Sequence, residues 1–299
     1  MDQLVKATAG DVRIYAAVTT DLVAEGAKRH NCSALAAAAL GRTMTGALLM
    51  AANLKNQEAI TLSFNGNGPL GRVVADANNN GFVRGYVQHP EVELPLTNGK
   101  LSVGQGIGSG LVTVSRFTGM GDPQTGSVEI LSGEIAEDLT RYLFYSEQTP
   151  SAVSLGVLVD TDLSILAAGG FIVQPLPEAS DDTIASLEEN IGKLKPVSQM
   201  VKDGMTPKDI IAAVLDGFGE IEYMTTTDLA FKCQCSRVRT EDMLVALAPA
   251  DRKALIADGQ AEVCCTFCGE KYQFSKEDLI IIDNVAKKLA EMRAKEAKK

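Results

Sequence analysis

Tryptophan is absent from the 299 residues, aromatic residues make up only 5%, and there are two histidines. So few rings argue against a surface that stacks the bases of single-stranded nucleic acid. Basic residues are outnumbered, 28 Lys and Arg against 38 Asp and Glu, for a formal net charge of −10. That balance argues against general binding to nucleic acid or to an anionic membrane surface. No run approaches the roughly twenty apolar residues that cross a bilayer. The opening MDQLVKATAGDVRIY lacks a basic segment followed by an apolar one, so no export signal is expected.

Catalytic and nucleotide motifs are missing as well. His30 stands two residues from Cys32, but near-adjacent positions rarely make a nucleophile–base pair, and no orienting acid is evident. Cys32 reads as a structural thiol beside a helix start. Glu91 and Glu93 read as an exposed strand face, not as acid/base machinery. Gly66-x-Gly68-x-x-Gly71 spells a dinucleotide fingerprint, yet it leads into a strand and a turn where that motif requires a helix. The run Gly104-x-Gly106-x-Gly108-x-Gly110 has no P-loop lysine and reads as a bend in a sheet. No enzyme is expected.

Cysteine is what the chain has in a pattern. Five of its six cysteines fall between Cys233 and Cys268: a C-x-C pair, Cys233 and Cys235, then Cys264, Cys265 and Cys268, the last two forming C-x-x-C before Gly269. Two close pairs about thirty residues apart can supply four thiolates to one tetrahedral zinc. Inert core thiols pack like small hydrophobes, but scattered core cysteines do not fall into paired spacings. Cys264 is an extra thiol beside Cys265, and C-x-x-C spacing favours Cys265 as the ligand. Thiolates available to metal, with no export signal, imply a reducing compartment and a cytoplasmic protein.

The rest of the chain divides into three. Residues 1–177 read as an α+β domain with a mainly antiparallel sheet and a buried central helix. GDVRIYAAVTT is a strand, and Ser33 opens a helix too rich in Ala and Leu to lie on a surface. Hairpin signals follow through residue 87, residues 101–117 read as further strand, and 121–126 as a loop. A helix is expected within 133–148, and two strands lead to Pro175. Residues 178–230 read as a helical linker, with Ser180 and Thr206 as helix caps and a thin apolar stripe that holds itself up poorly. Residues 231–299 carry the cysteines, a short helix from Thr240, another ending at Gly259, and a last helix opened by Ser275-x-x-Asp278. The lysine-rich end reads as a solvated helix terminus.

In this order the chain resembles the heat shock protein 33 family of redox-regulated bacterial chaperones. The resemblance runs over essentially the full length, through LGRTMTGALLMA, NGNGPLGRVVADANNNGFVRGYV and GEIAEDLTRYLFYSEQTPSAVSLGVLV to the C-x-C and C-x-x-C pairs. It implies zinc, one per chain in the reduced form, on Cys233, Cys235, Cys265 and Cys268. It also implies that these four are the redox-active residues, closing Cys233–Cys235 and Cys265–Cys268 disulfides on oxidation as zinc leaves. The reduced form would be inactive. The oxidised form would be a holdase that works without ATP, binds unfolding or oxidatively damaged clients, and acts as a homodimer. Neither nucleic acid nor membrane is an expected partner. Two other readings of the same cysteines stay open at this point: a zinc-ribbon nucleic-acid binder, and a thiol–disulfide oxidoreductase working through Cys265-x-x-Cys268.

Overall fold

The computed structural model describes residues 1–55, 58–119 and 121–296. They form two compact units, Met1–Lys232 and Cys233–Lys299.

The first unit is a helix enclosed between two sheets. The chain runs β1 (Gln3–Ala9), β2 (Val12–Val18), α1 (Thr20–Arg29), α2 (Ala34–Ala51), β3 (Ala59–Gly66), β4 (Arg72–Asn78) and β5 (Phe82–Val87). It continues through α3 (Val103–Ile107), β6 (Gly110–Phe117), β7 (Gln124–Glu129), α4 (Ala136–Tyr145), β8 (Ala152–Val159) and β9 (Ile165–Pro175). After Pro175 come α5 (Asp181–Lys193), α6 (Val197–Lys202), α7 (Pro207–Val214), β10 (Glu222–Asp228) and β11 (Ala230–Phe231). One sheet has the order β10-β1-β2-β9-β8, the other β11-β5-β4-β3-β6-β7. Every pairing in them is antiparallel except β11 on β5.

The Ala-rich α2 is the centre. The Ser33 hydroxyl accepts from the Ala36 amide and caps it, and small side chains let both sheets close on its sides. A Cβ at Gly41 would come within 2.6 Å of Val23, so only glycine allows that approach. The helix is apolar and long enough to suit a bilayer by composition, but 83% of it is buried inside the protein. Its Leu40 and Leu48 join Ile60, Leu62 and Phe64 of β3 in one core.

The outer face of the first sheet carries a second apolar cluster. Ile14, Val5, Phe171 and Val173 project from the strands and are covered by Leu187, Met200, Ile210, Ile211 and Val214 of α5, α6 and α7. The expected thin stripe describes α5, which buries only Leu187. It does not describe α7, whose Ile210, Ile211 and Val214 are fully enclosed and whose Thr206 and Asp209 complete a capping box. The same stretch ends in β10, a strand built on Thr225–Thr227 that extends the first sheet along β1.

Other local expectations are revised. Residues 103–107 are a short helix within the stretch read as strand, and 124–126 begin β7. Glu91 and Glu93 are exposed but stand in an irregular segment. The two glycine runs explain each other. The turn at 66–70 lies against 106–108, with the Gly68 amide donating to the Ile107 carbonyl at 2.8 Å and the Leu70 amide to Gly106 at 2.9 Å. A Cβ at Gly66 would sit 1.9 Å from the Ile107 carbonyl oxygen, which is why that position lacks a side chain.

The second unit is small: α8 (Arg237–Ala246), α9 (Pro249–Asp258), a hairpin of β12 (Gln260–Cys264) and β13 (Lys271–Ser275), and α10 (Lys276–Glu296). Helix α8 starts at Ser236, whose hydroxyl accepts from the Arg239 amide, four residues ahead of the expected Thr240. Gly259, left-handed at φ 84°, ends α9, and Ser275 and Asp278 exchange the expected capping bonds. The last three residues of the lysine-rich end lie outside the described residues.

Candidate metal centre

The four paired cysteines meet at one point. Cys233 and Cys235 lie on the segment leading into α8, and Cys265 and Cys268 occupy the turn between β12 and β13. Their sulfurs all fall within 4.8 Å of one another. The closest approaches run between the two arms, Cys233 to Cys265 at 3.8 Å and Cys235 to Cys268 at 3.3 Å. Four thiolates around a tetrahedral zinc at about 2.3 Å would sit about 3.8 Å apart. The donor set and its spacing therefore fit zinc.

The hairpin turn supplies this geometry from its sequence. The Cys265 amide donates to the Glu270 carbonyl, and the Gly269 amide returns to the Cys265 carbonyl at 2.8 Å. Gly269 takes φ 72°, where a side chain would be strained. This closes a tight knuckle in which the Phe267 and Glu270 amides point at the sulfurs of Cys265 and Cys268. Burial pushes both thiols above the usual cysteine range, a shift those amides oppose. A divalent cation among the sulfurs would hold them as thiolates.

Cys264 points elsewhere. It is exposed, and its sulfur approaches the Gly269 carbonyl at 3.6 Å, outside the four-sulfur group. Strand alternation along β12 accounts for this, since neighbouring residues face opposite sides. Cys32 is buried in the first unit, its thiol pushed up to about 12 by desolvation, so it is an inert packing group. His30 and His89 belong to the first unit and are not members of the sulfur group.

Three sets of supporting contacts were not visible in the sequence. The Tyr272 hydroxyl donates to the Cys235 sulfur at 3.1 Å, and that bond pushes the phenol well above its ordinary range. Arg237, directly after the C-x-C arm, lies over the Phe274 ring and donates to the Gln273 carbonyl and to Asp278 at 2.7 and 2.9 Å. It ties the first arm to the hairpin that carries the second. Arg252 and Asp283 form a buried pair at 2.9 Å, and Lys287 joins Asp283 at 2.7 Å. No local spacing signals these contacts, because each joins positions more than thirty residues apart or depends on a fold-specific face.

The C-x-x-C pair stands in an antiparallel hairpin turn, whereas a dithiol oxidoreductase sets its pair at a helix N-terminus in a βαβ context. The shared clustering of four thiols is the chemistry the site offers.

Comparison with known proteins gives one consistent result. A family model described as Hsp33 protein matches residues 2–275. The 33 kDa chaperonin of Desulforamulus reducens is 49% identical over 282 residues, covering 93% of this chain and 96% of that protein. The 33 kDa chaperonin of Bacillus subtilis is 46% identical over 284 residues, covering 93% and 97%. The crystal structure of the 33 kDa chaperonin, a heat shock protein 33 homologue, from Thermotoga maritima superposes with a TM-score of 0.87 at 36% identity. That alignment covers 95% of this chain and 98% of the other.

Proposed function

The chain belongs to the Hsp33 family, and from that premise we propose that it is a redox-regulated holdase chaperone, held inactive while reduced and zinc-bound. The observation that carries this reading is the meeting of four sulfurs within 4.8 Å in a unit with little other core. Zinc on Cys233, Cys235, Cys265 and Cys268, one per chain, would supply the cation that keeps the thiolates charged and ties the two arms together.

The switch follows from what these residues do when an oxidant such as peroxide arrives. One thiolate attacks the peroxide, takes one oxygen as sulfenic acid and releases the other as hydroxide. A neighbouring thiolate then displaces that oxygen as hydroxide and closes a disulfide. Chain connectivity favours Cys265–Cys268 and Cys233–Cys235 once the arms separate, with the strained small ring of C-x-C closing second. The sulfurs no longer bind metal, and residues 233–296 lose the tie between their arms. Segment 178–230, whose α5 fully buries only Leu187, loosens in turn. The strand face beneath it, with Ile14, Phe171 and Val173, becomes available to unfolding clients. The active form is a homodimer in this reading, and the setting is a reducing cytoplasm that turns oxidising under stress.

Light scattering from an aggregating client, with the protein reduced and then oxidised, tests the proposal. Suppression is expected only after oxidation, with one zinc released per chain and reversal by reductant. Full suppression with all five clustered thiols still reduced would reject the redox mechanism.

A further inference from the structure

A cavity of about 100 Å³ lies in the first unit, far along the chain from the cysteines. Arg13 and Gln174 line it from β2 and β9, Arg116 from β6, and the ends of α2 and α4 close it. Among its lining residues the one carboxylate is Glu147. One Glu147 oxygen accepts from the Tyr142 hydroxyl at 2.9 Å, and the other lies 3.5 Å from the Arg116 guanidinium. Burial pushes that hydroxyl up to about 12, so it stays protonated and keeps donating.

Two cations therefore face one acid, and their donors are left over. Arg13 uses Nε on the Gln174 side-chain carbonyl at 2.8 Å and pairs with no carboxylate among the described residues. The Nε of Arg116 is enclosed and has no hydrogen-bond partner. An enclosed guanidinium N–H without an acceptor is unfavourable, so the arrangement favours an occupant that only accepts. The last turn of α2 borders the cavity and carries no basic residue of its own, so cations are favourable there. Yet neither guanidinium donates to an α2 carbonyl, and that role does not consume their donors.

We propose that Arg13 and Arg116 form a binding site for one small tetrahedral oxyanion, phosphate or sulfate, held between the two sheets. Planar guanidinium forks match such oxygens two at a time. The volume equals about three waters at about 30 Å³ each, too small for a nucleotide, whose pockets begin near 300 Å³. By bridging β2 and β6 the anion would tie the two sheets together beside the end of α2.

Calorimetric titration of the full-length, reduced, metal-loaded protein with inorganic phosphate at constant ionic strength tests this. Saturable binding of one phosphate per chain is expected, with sulfate competing. Arg13→Gln and Arg116→Gln should each weaken it at least about tenfold, while Arg72→Gln, at an exposed position on β4, should leave it unchanged. Arg116→Gln also removes the partner of Glu147 and can unfold the unit, so Arg13→Gln, which gives up only its bond to Gln174, decides that case. Thermal midpoints in chloride establish that each variant is folded. No saturable binding, or binding undiminished in folded Arg13→Gln, overturns the site. An equal phosphate-induced rise in midpoint for every variant, with no calorimetric saturation, would mark a general salt effect and overturn it too.

Discussion

Leu40 of α2 and Ile60, Leu62 and Phe64 beside it are wholly enclosed, and a second cluster lies on the outer face of the first sheet. The cluster of the second unit contains Leu244, Phe274, Leu279 and Ile282 as its buried members among the described residues. Burying a large apolar side chain contributes about 1.5–3 kcal/mol. Four such side chains are far fewer than the buried residues of the first unit, so the second has little core of its own. The first unit is held by its own core. The second has the Arg252–Asp283 pair and the Arg237 clamp, and in the proposed reading a metal at the four sulfurs adds the rest. On that proposal the two regions place their stability in different chemistry, and an oxidant or a chelator would address one and spare the other.

Removing the metal sharpens that comparison most. A structural zinc contributes on the order of 10 kcal/mol in small zinc peptides, more than the second unit's core can replace. Chelation of the reduced protein should therefore abolish hydrogen-exchange protection across residues 233–296. Amides of α2, residues 34–51, should keep theirs. Protection that persists in α8–α10 after metal removal would show that the small core suffices and would break the comparison.

How much of this could be read beforehand differs between the two units for the same reason. Short-range patterns were legible: the Ala-rich run after Ser33, the capping residues Ser180, Thr206 and Ser275, and the paired cysteines. The family resemblance carried the rest of the outline. Contacts between distant residues were not legible. Nothing in the sequence near Gly66 announces the Ile107 carbonyl that makes glycine necessary there, and nothing near Tyr272 announces Cys235. Strand β10 was missed because Thr225–Thr227 follows two helices and its partner β1 lies more than two hundred residues earlier. The strength of α7 was missed because Ile210, Ile211 and Val214 show their value only against the face of a sheet formed elsewhere.

Single-thiol variants give the next largest effect and separate neighbours in sequence. Cys268→Ser removes the most buried sulfur of the group and should lower zinc affinity by more than the ~10–100-fold typical of losing a supporting contact. Cys264→Ser, one position from Cys265 but exposed and outside the group, should leave one zinc per chain. Metal analysis after gel filtration reads both. Zinc lost with Cys264→Ser and retained with Cys265→Ser would reassign the ligand.

The smallest expected effect tests whether the second unit's supporting contacts tune the site or merely accompany it. Tyr272→Phe keeps the ring, which packs against the Leu244–Phe274 cluster, and deletes only the hydroxyl that donates to Cys235 at 3.1 Å. A hydrogen bond to a charged sulfur disperses part of its negative charge and fixes its direction, and supporting contacts of this kind are worth about 10-fold or more in metal affinity. The variant should bind zinc at least about tenfold more weakly in competition with a chromogenic chelator. The exposed sulfur should also oxidise faster with peroxide, as thiol counting over time would record. The thermal midpoint of the first unit should not move, because Tyr272 belongs to the other unit. Unchanged zinc affinity together with an unchanged oxidation rate would mean that the knuckle amides and the four sulfurs set the centre's properties by themselves.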